Sequence, residues 1–432
     1  MNDKSAQDWD EQIAAALGQV TEQKEKDRYA NMRLDRNPFP IASISSPEYA
    51  SNLPPIRDEH LKTVLDLIRT SAVGKRYSGM SVIGDYGFGK THLLRWFEHT
   101  VNTGSKGKLN AIYVRDPGSS SRELLFAIVR AIGDESLRKM IWAIVQKAIG
   151  LGVLAKGLSF FRQFSGGLMP GQALLDTGNE DKCAELASET SVSNYREFIR
   201  VFDTLRLSRE KLRDYIDATL RPHVTNLAVS SQFASFIANP EEEAYRSWMA
   251  LVSGSPRDLQ VLQDDYFKAI LAVLKANGFQ HTYLLLDEFE DVAIVRLTSR
   301  KTLEYAAELR MLIDTNLTEF SLVLAMTNEG FESLASTYPP LTERLNFKID
   351  LSPLSALEVE SLILRYLKQS RIQGVSQDSL SPFSKTVVKR ITEVSKGNPR
   401  TIISLCYRLI EACGDQRASN ITTNMVSELQ PP

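Results

Sequence analysis

The chain has 432 residues, enough for two or three domains, and an ordinary globular composition of 43% hydrophobic and 24% charged residues. Its formal net charge of −2 excludes a molecule that binds nucleic acid by overall charge, although a local basic patch stays open. The cysteines Cys183, Cys406 and Cys413 lack metal-site spacing and the N-terminus is no signal or transit peptide, so a reducing cytoplasm is the expected compartment.

Residues 1–36 are polar, with one short helical pattern at Ile13, Ala16, Leu17 and Val20, and read as an N-terminal arm or a partner-binding helix. Asn37-Pro38-Phe39-Pro40 breaks this segment, and a loop with Pro54 and Pro55 follows. Leu61, Val64, Leu65 and Ile68 then share one face of a helix. Ser81-Val82-Ile83 reads as the end of a strand. It leads into Gly84-Asp85-Tyr86-Gly87-Phe88-Gly89-Lys90-Thr91, a full match to G-x-x-x-x-G-K-[ST]. A helix with Leu93, Leu94 and Phe97 on one face comes next, so the motif has the strand–loop–helix setting it requires. Its glycines let backbone N–H groups wrap phosphate oxygens, and the helix N-terminus adds partial positive charge there. Lys90 is placed to reach the β- and γ-phosphates, and the Thr91 hydroxyl to hold Mg²⁺.

Ala111-Ile112-Tyr113-Val114 reads as a second buried strand ended by Asp116-Pro117-Gly118. From about Ser121 to Gln263 the pattern is almost entirely helical, which predicts an insertion with much solvated surface over a small core. Between Glu135 and Asp176 no acidic residue occurs. Arg138, Lys139, Lys147, Lys156 and Arg162 alternate there with Trp142, Phe160, Phe161 and Phe164. An apolar stripe of Ile141, Ile144, Val145, Ala148 and Ile149, interrupted by Gln146 and Lys147, suits a membrane surface, DNA phosphates, a partner helix, or simply the core.

A helix from Tyr266 to Lys275 precedes Tyr283-Leu284-Leu285-Leu286, the continuous apolar run of a central parallel strand, with Asp287-Glu288 at its end. A helix over Leu303–Leu312 leads to the strand Leu322-Val323-Leu324-Ala325, which ends at Thr327 and Asn328. Phe347-Lys348-Ile349 is a short further strand, and the chain beyond Leu351-Ser352-Pro353-Leu354 is helical. Alternating strands and helices imply a parallel α/β sheet whose ligand sits at the strands' C-terminal ends, where the glycine loop, Asp287, Glu288 and Asn328 all fall. Asp287 suits Mg²⁺, Glu288 suits the role of general base, and Asn328, with Thr327 as competitor, suits orienting water or touching the γ-phosphate.

On these residues the chain resembles the AAA+ ATPases over about Asn37 to Ala412, most of the helical insertion excepted. The loop Gly84, Tyr86, Gly87, Phe88, Gly89, Lys90, Thr91 with His92 looks like their Walker A motif, and Leu284 to Glu288 looks like Walker B. Asn328 matches sensor 1. Pro340-Leu341-Thr342-Glu343-Arg344 is similar to the segment presenting an arginine finger, and Gly397-Asn398-Pro399-Arg400 to the sensor 2 arginine of a helical lid. The resemblance implies an AAA+ parallel sheet between helices with a C-terminal lid, and ATP and Mg²⁺ as ligands. It implies adenine contacts from Ile41, Ile56 and Arg57. It also implies a homo-oligomer, in which Arg344 serves a neighbouring subunit while Arg400 acts in cis. A guanidinium is the fitting donor for charge that grows on the γ-phosphate.

The implied organisation is an arm at 1–36, a first core part at 37–120, a helical insertion at 121–263, a second core part at 264–352 and a lid at 353–432. The lid entry and the Gly-Asn-Pro-Arg motif are most similar to replication-initiator, transposition-regulator, secretion-accessory and phage-defence ATPases. The chain ends soon after the lid, so the winged-helix domain usual in replication initiators is not expected. The implied function is an ATP hydrolase that couples nucleotide to oligomer assembly and to the remodelling of a partner complex. A protein partner is expected at the insertion, and DNA is a further candidate. The alternatives are a slow-hydrolysing regulator and a membrane-associated ATPase using residues 136–175. No Asn-Lys-x-Asp guanine signature is present, which disfavours GTP.

Overall fold

The computed structural model describes residues 28–41, 53–156, 159–164, 195–204, 206–239, 256–291, 299–372, 374, 376 and 378–429. Five strands form one sheet: β1 (Met80–Ile83), β2 (Leu109–Val114), β3 (His281–Leu286), β4 (Phe320–Met326) and β5 (Phe347–Asp350), in the order β2-β3-β4-β1-β5. β2, β3 and β4 run parallel, with Tyr113 opposite Leu285 and Leu286 opposite Leu324. At the other side the Phe347 N–H meets the Gly79 carbonyl and the Leu351 N–H meets the Ile83 carbonyl. The two chains advance together there, as a parallel pair does. Every residue of β3 and β4 is buried, which is why their sequences are largely apolar and do not alternate. This is the parallel α/β sheet flanked by helices that the alternation of strands and helices implies.

Contacts divide the chain into two compact units. One comprises Thr63–Val82 and Phe97–Ile349, and the other comprises Met1–Lys62, Ile83–Trp96 and Asp350–Pro432. The first unit holds most of the sheet and the helical insertion. After α1 (Asp58–Ile68) and α2 (Lys90–Gly104), the insertion runs through α3 (Ser121–Ile132), α4 (Asp134–Lys156), α5 (Ser159–Arg162), α6 (Tyr195–Thr204), α7 (Arg209–Leu220) and α8 (Leu227–Ala238) to α9 (Pro256–Ala276). Ser120, Ser208 and Asn226 cap three of these helices by accepting backbone N–H bonds.

The insertion does not rest on a small core of its own. Trp142, Phe198 and Phe233 belong to the same buried cluster as Leu284, Leu286 and Leu324 of the sheet. The basic aromatic stretch is part of this packing. Ile141, Trp142, Val145, Ile149, Phe160, Phe161 and Phe164 are all buried. Trp142 lies 5.0 Å from Phe198 between ring centroids. Arg138 is also inside: it donates to the Phe236 carbonyl near the end of α8 and lies over the Phe236 ring, and burial pushes its pKa down. Gln146 is buried and Lys147 exposed, and the stripe residues Ile141, Val145 and Ile149 are covered, while Leu151 and Leu154 farther along α4 are exposed. Of the residues named for the membrane reading of 136–175, Ile141, Trp142, Val145, Ile149, Phe160, Phe161 and Phe164 are turned into the core; residues 157–158 and 165–175 lie outside the described residues. Among the described residues no helix is long and apolar enough to cross a membrane.

In the second unit, α13 (Ala356–Lys368), α14 (Lys385–Ser395), α15 (Pro399–Asp415) and α16 (Thr423–Glu428) surround a separate apolar cluster; the labels α10 to α12 go to Ser299–Thr315, Asn328–Thr337 and Pro339–Thr342 of the first unit. Cys406 and Cys413 sit in that cluster as buried thiols, and Cys183 lies outside the described residues. Residues 28–36 are no free arm. Tyr29, Met32 and Leu34, with Phe39, are buried among Val359, Ile363 and Leu405. The Tyr29 hydroxyl donates to Glu411 at 2.6 Å, and Arg28 pairs with the same carboxylate at 2.8 Å. Leu34 bridges to Arg371 as a short antiparallel contact. The patterned residues Ile13, Ala16, Leu17 and Val20 lie outside the described residues.

Because insertion and sheet share one core, Trp142→Ala is expected to lower stability by about 3–5 kcal/mol in urea unfolding. Amide exchange of β3 should accelerate in the same variant. An insertion that stood on its own would leave β3 exchange unchanged.

Candidate functional site

The glycine loop Gly84–Thr91 is held by features that only its glycines permit. Gly84 passes against Leu351, where a Cβ would lie 2.8 Å from the Leu351 Cβ. Gly87 and Gly89 have φ of +86° and +96°, the left-handed side of the map that side chains disfavour. The Phe88 N–H closes a turn on the Asp85 carbonyl at 3.3 Å, and α2 begins at Lys90. The Lys90 ammonium is buried against the loop, donating to the Gly84 carbonyl at 2.7 Å, 5.3 Å from the centre of the exposed Tyr86 ring. Thr91 is half-buried. The His92 ring donates through Nε2 to the Leu53 carbonyl at 2.9 Å, and burial lowers its pKa, so it is a neutral anchor for the segment before α1.

That segment places Ile56 half-buried against the lid cluster. Arg57, expected at a nucleotide base, is engaged elsewhere. Its guanidinium meets Glu358 at 2.5 Å, the Ser352 hydroxyl at 2.7 Å and the Pro353 carbonyl at 2.9 Å. It therefore ties the chain before α1 to the lid entry. Ile41, the other neighbour named for the base, is 80% exposed. Glu358 also closes a capping box with Ser355 at the start of α13. The Arg57 pairing, followed by the Ser355 hydrogen bonds, pulls the Glu358 carboxyl down to about 2. At the lid's other landmark, Asn398 caps α15 and the exposed Arg400 begins it, with its backbone N–H on the Gly87 carbonyl at 3.2 Å.

In the sheet unit, the acid pair stands where β3 runs out. Asp287 is 1% exposed, and its N–H continues the ladder to the Val114 carbonyl at 2.9 Å. Both carboxylate oxygens accept donors: Oδ2 takes the Tyr113 hydroxyl at 2.8 Å, and Oδ1 takes the Glu288 N–H at 3.0 Å. Glu288 is half-buried and has φ of +52°, a left-handed conformation that costs a non-glycine residue about 1–2 kcal/mol. Its carboxylate lies 3.5 Å from the Arg115 guanidinium. Strain of this kind collects where a side chain must be aimed. Tyr113 and Arg115 are the residues that sequence reading missed as functional. Only the β2–β3 register puts them beside the acids, and no local motif carries it.

At the end of β4, Thr327 and Asn328 divide the work. The Thr327 hydroxyl caps α11 by accepting the Gly330 N–H at 3.1 Å, which commits it to the helix. Asn328 is the exposed first residue of α11. Arg344 follows α12, and its Nε pairs with Asp314 at 3.0 Å, with its side chain 34% exposed. Arg310 shares that carboxylate at 3.2 Å. A Cβ at Gly79 would come 2.4 Å from the Arg344 carbonyl oxygen, so close packing fixes the backbone there.

No known family profile matches the chain. A curated relative, an uncharacterized HTH-type transcriptional regulator of Methanocaldococcus jannaschii, is 30% identical over 97 residues, 22% of this chain and 23% of that one. The match thus spans less than a quarter of the relative. Among solved structures, the Aeropyrum pernix ORC2 protein in ADPNP–ADP complexes aligns with TM-score 0.47 and 12% identity, over 88% of this chain and 69% of that one. The Aeropyrum pernix ORC1 protein in complex with DNA aligns with TM-score 0.41 and 14% identity, over 89% and 66%. No activity or partner is carried over from these likenesses.

Glu358 titrates below its ordinary value in the folded chain, so its stabilising pair is fully formed above pH 4.5 and is lost as pH falls toward 2. Glu358→Gln is therefore expected to lower the melting temperature at neutral pH. The gap to the parent should narrow as melts are taken below pH 4.5. A gap independent of pH would contradict the ion pair.

Proposed function

We propose that the chain is a Mg²⁺-dependent AAA+ ATPase that couples nucleotide binding and hydrolysis to assembly and to the remodelling of a partner complex. The observation that carries the reading is the acid pair at the end of β3. One carboxylate, Asp287, is buried and oriented by donors on both oxygens, and its neighbour Glu288 is half-exposed in a strained conformation. That asymmetry suits two roles: a fixed oxygen ligand and a mobile base.

In this reading the loop N–H groups and Lys90 take the phosphates, and the α2 N-terminus favours their charge. Asp287 and Thr91 would hold Mg²⁺, and a hard oxygen pair of this kind fits a cation that also takes phosphate oxygens and water. When bound, the ion would neutralise charge on the β- and γ-phosphates. Glu288 would accept a proton from water as it attacks, and Asn328 would orient that water. Ile56 is retained as a base contact.

Arg344 is assigned in trans. Its exposed pair with Asp314 is of a kind worth about 0–1 kcal/mol, so release toward a neighbouring subunit costs little. Known arginine fingers contribute about 10³ to 10⁵ in rate. Arg400 would act in cis from the lid, so that nucleotide draws the lid closed. The homo-oligomer, a protein partner at the insertion's outer surface, a DNA-associated role and the cytoplasm complete the proposal.

A second reading, the slow-hydrolysing regulator, is favoured by one contact. The Arg115 guanidinium lies 3.5 Å from the Glu288 carboxylate and holds it away from a water for as long as the pair persists. Glu288→Gln is expected to keep Mg-ATP binding and lower steady-state turnover by about 10²- to 10⁴-fold. Turnover at the parent rate would remove Glu288 as the base. Arg115→Ala should raise turnover if the pair restrains hydrolysis, and leave it level or lower if the arginine only supports the fold.

A further inference from the structure

We propose that Asn398 is a positioning residue that clamps the phosphate loop to the lid, and that nucleotide affinity is set through this clamp. The inference rests on the reading of Gly84–Thr91 as the phosphate site.

Asn398 uses both ends of its amide. Its Oδ1 caps α15 by accepting the Thr401 N–H at 3.3 Å, and its Nδ2 donates to the Tyr86 carbonyl at 2.9 Å. The Arg400 N–H has no partner within the first turn of its own helix, as at any helix start. It donates to the next loop carbonyl, that of Gly87, at 3.2 Å. Two consecutive loop carbonyls are thus taken by the lid. The packing is as close as the bonding: a Cβ on Gly87 would lie 2.6 Å from Asn398 Oδ1 and 3.0 Å from the Arg400 Cβ. The turn before Asn398 is itself fixed. Gly397 has φ of +70°, and its carbonyl accepts the Leu354 N–H at 2.9 Å at the lid entry.

The consequence follows from the planarity of the peptide group. Holding the Tyr86 carbonyl toward the lid turns the Gly87 N–H to the opposite edge of the same plane. The next plane is held on both edges, by Arg400 at the Gly87 carbonyl and by Asp85 at the Phe88 N–H. Ordering a loop of convergent N–H groups ordinarily reduces affinity, because its conformational entropy is lost on binding. Here the lid has already removed part of that freedom. By linkage, whatever shifts the lid changes phosphate affinity, and phosphate binding resists that shift by the same free energy.

The test separates clamp from cap. Serine is a good cap but too short to reach the Tyr86 carbonyl, and it adds no charge near the phosphates. The full-length Asn398→Ser variant is compared with the parent by thermal melting, by amide exchange at Gly87 without nucleotide, and by calorimetric titration with Mg-ATP. The expected result is an unchanged melt, faster exchange at Gly87 and a Kd raised about 3- to 10-fold, the worth of one hydrogen bond. An unchanged Kd, or unchanged exchange, overturns the proposal and leaves Asn398 a helix cap. Asn398→Ala, which loses cap and clamp together, should also melt lower. A parent protein that binds no nucleotide removes the functional reading instead, and Gly87 exchange then decides the clamp alone.

Discussion

The constraint on which the sheet unit depends is the double burial of β3. A strand covered on both faces cannot carry charge along its length, so any charged group it supplies must stand at an end. His281 at the beginning of β3 stays neutral: burial lowers it to about 4, and its ring meets the Ser321 hydroxyl. Tyr283 within the strand has its hydroxyl on Ser71 at 2.8 Å. At the other end Asp287 is kept inside by the hydroxyl of Tyr113 and the N–H of its neighbour. Polar chemistry is confined to the strand end because the interior permits nothing else. The insertion contributes by covering this sheet, which makes its aromatics part of what keeps β3 dry.

The lid unit is tied by polar bonds between distant stretches of chain. Arg57 and Glu358 join the segment before α1 to α13, and Arg365 donates to the carbonyls of Pro54 and Pro55. Arg28, Tyr29 and Asn37 converge on Glu411. Each exposed or half-exposed pair is modest by itself. Together they fix a segment with little secondary structure of its own along the lid helices. The phosphate loop belongs to this same unit through Leu351, Asn398 and Arg400. A loop that would bind phosphate and a lid that would answer to it thus share one packed body.

What was legible in the sequence is what short-range physics fixes. The five strands were readable as apolar runs, the loop as a glycine pattern, and the acid pair by its place after Leu286. The sequence favours Asn328 over Thr327 only by resemblance, and the helix cap made by the Thr327 hydroxyl is not legible in it. Residues 28–36 read as part of the arm because Tyr29, Met32 and Leu34 follow no helical or strand period; with Phe39 they are buried one by one against a surface made elsewhere. The stretch around Trp142 reads equally as a surface binder or as core, because charge and aromatics do not tell which face is covered, and Arg138 is buried on Phe236. Arg57 was assigned to a base from its position before the sheet, and its partner Glu358 is 301 residues away. Tyr113 and Arg115 needed the strand register.

The measurement that bears most directly on the central claim is ATP turnover per subunit across a range of protein concentrations, with and without Mg²⁺. Turnover is expected to require Mg²⁺ and to rise with concentration, as Arg344 of one subunit completes the site of the next. Absence of Mg²⁺-dependent turnover at every concentration would contradict the ATPase assignment. Mg²⁺-dependent turnover that stays flat would contradict the role of Arg344 in trans.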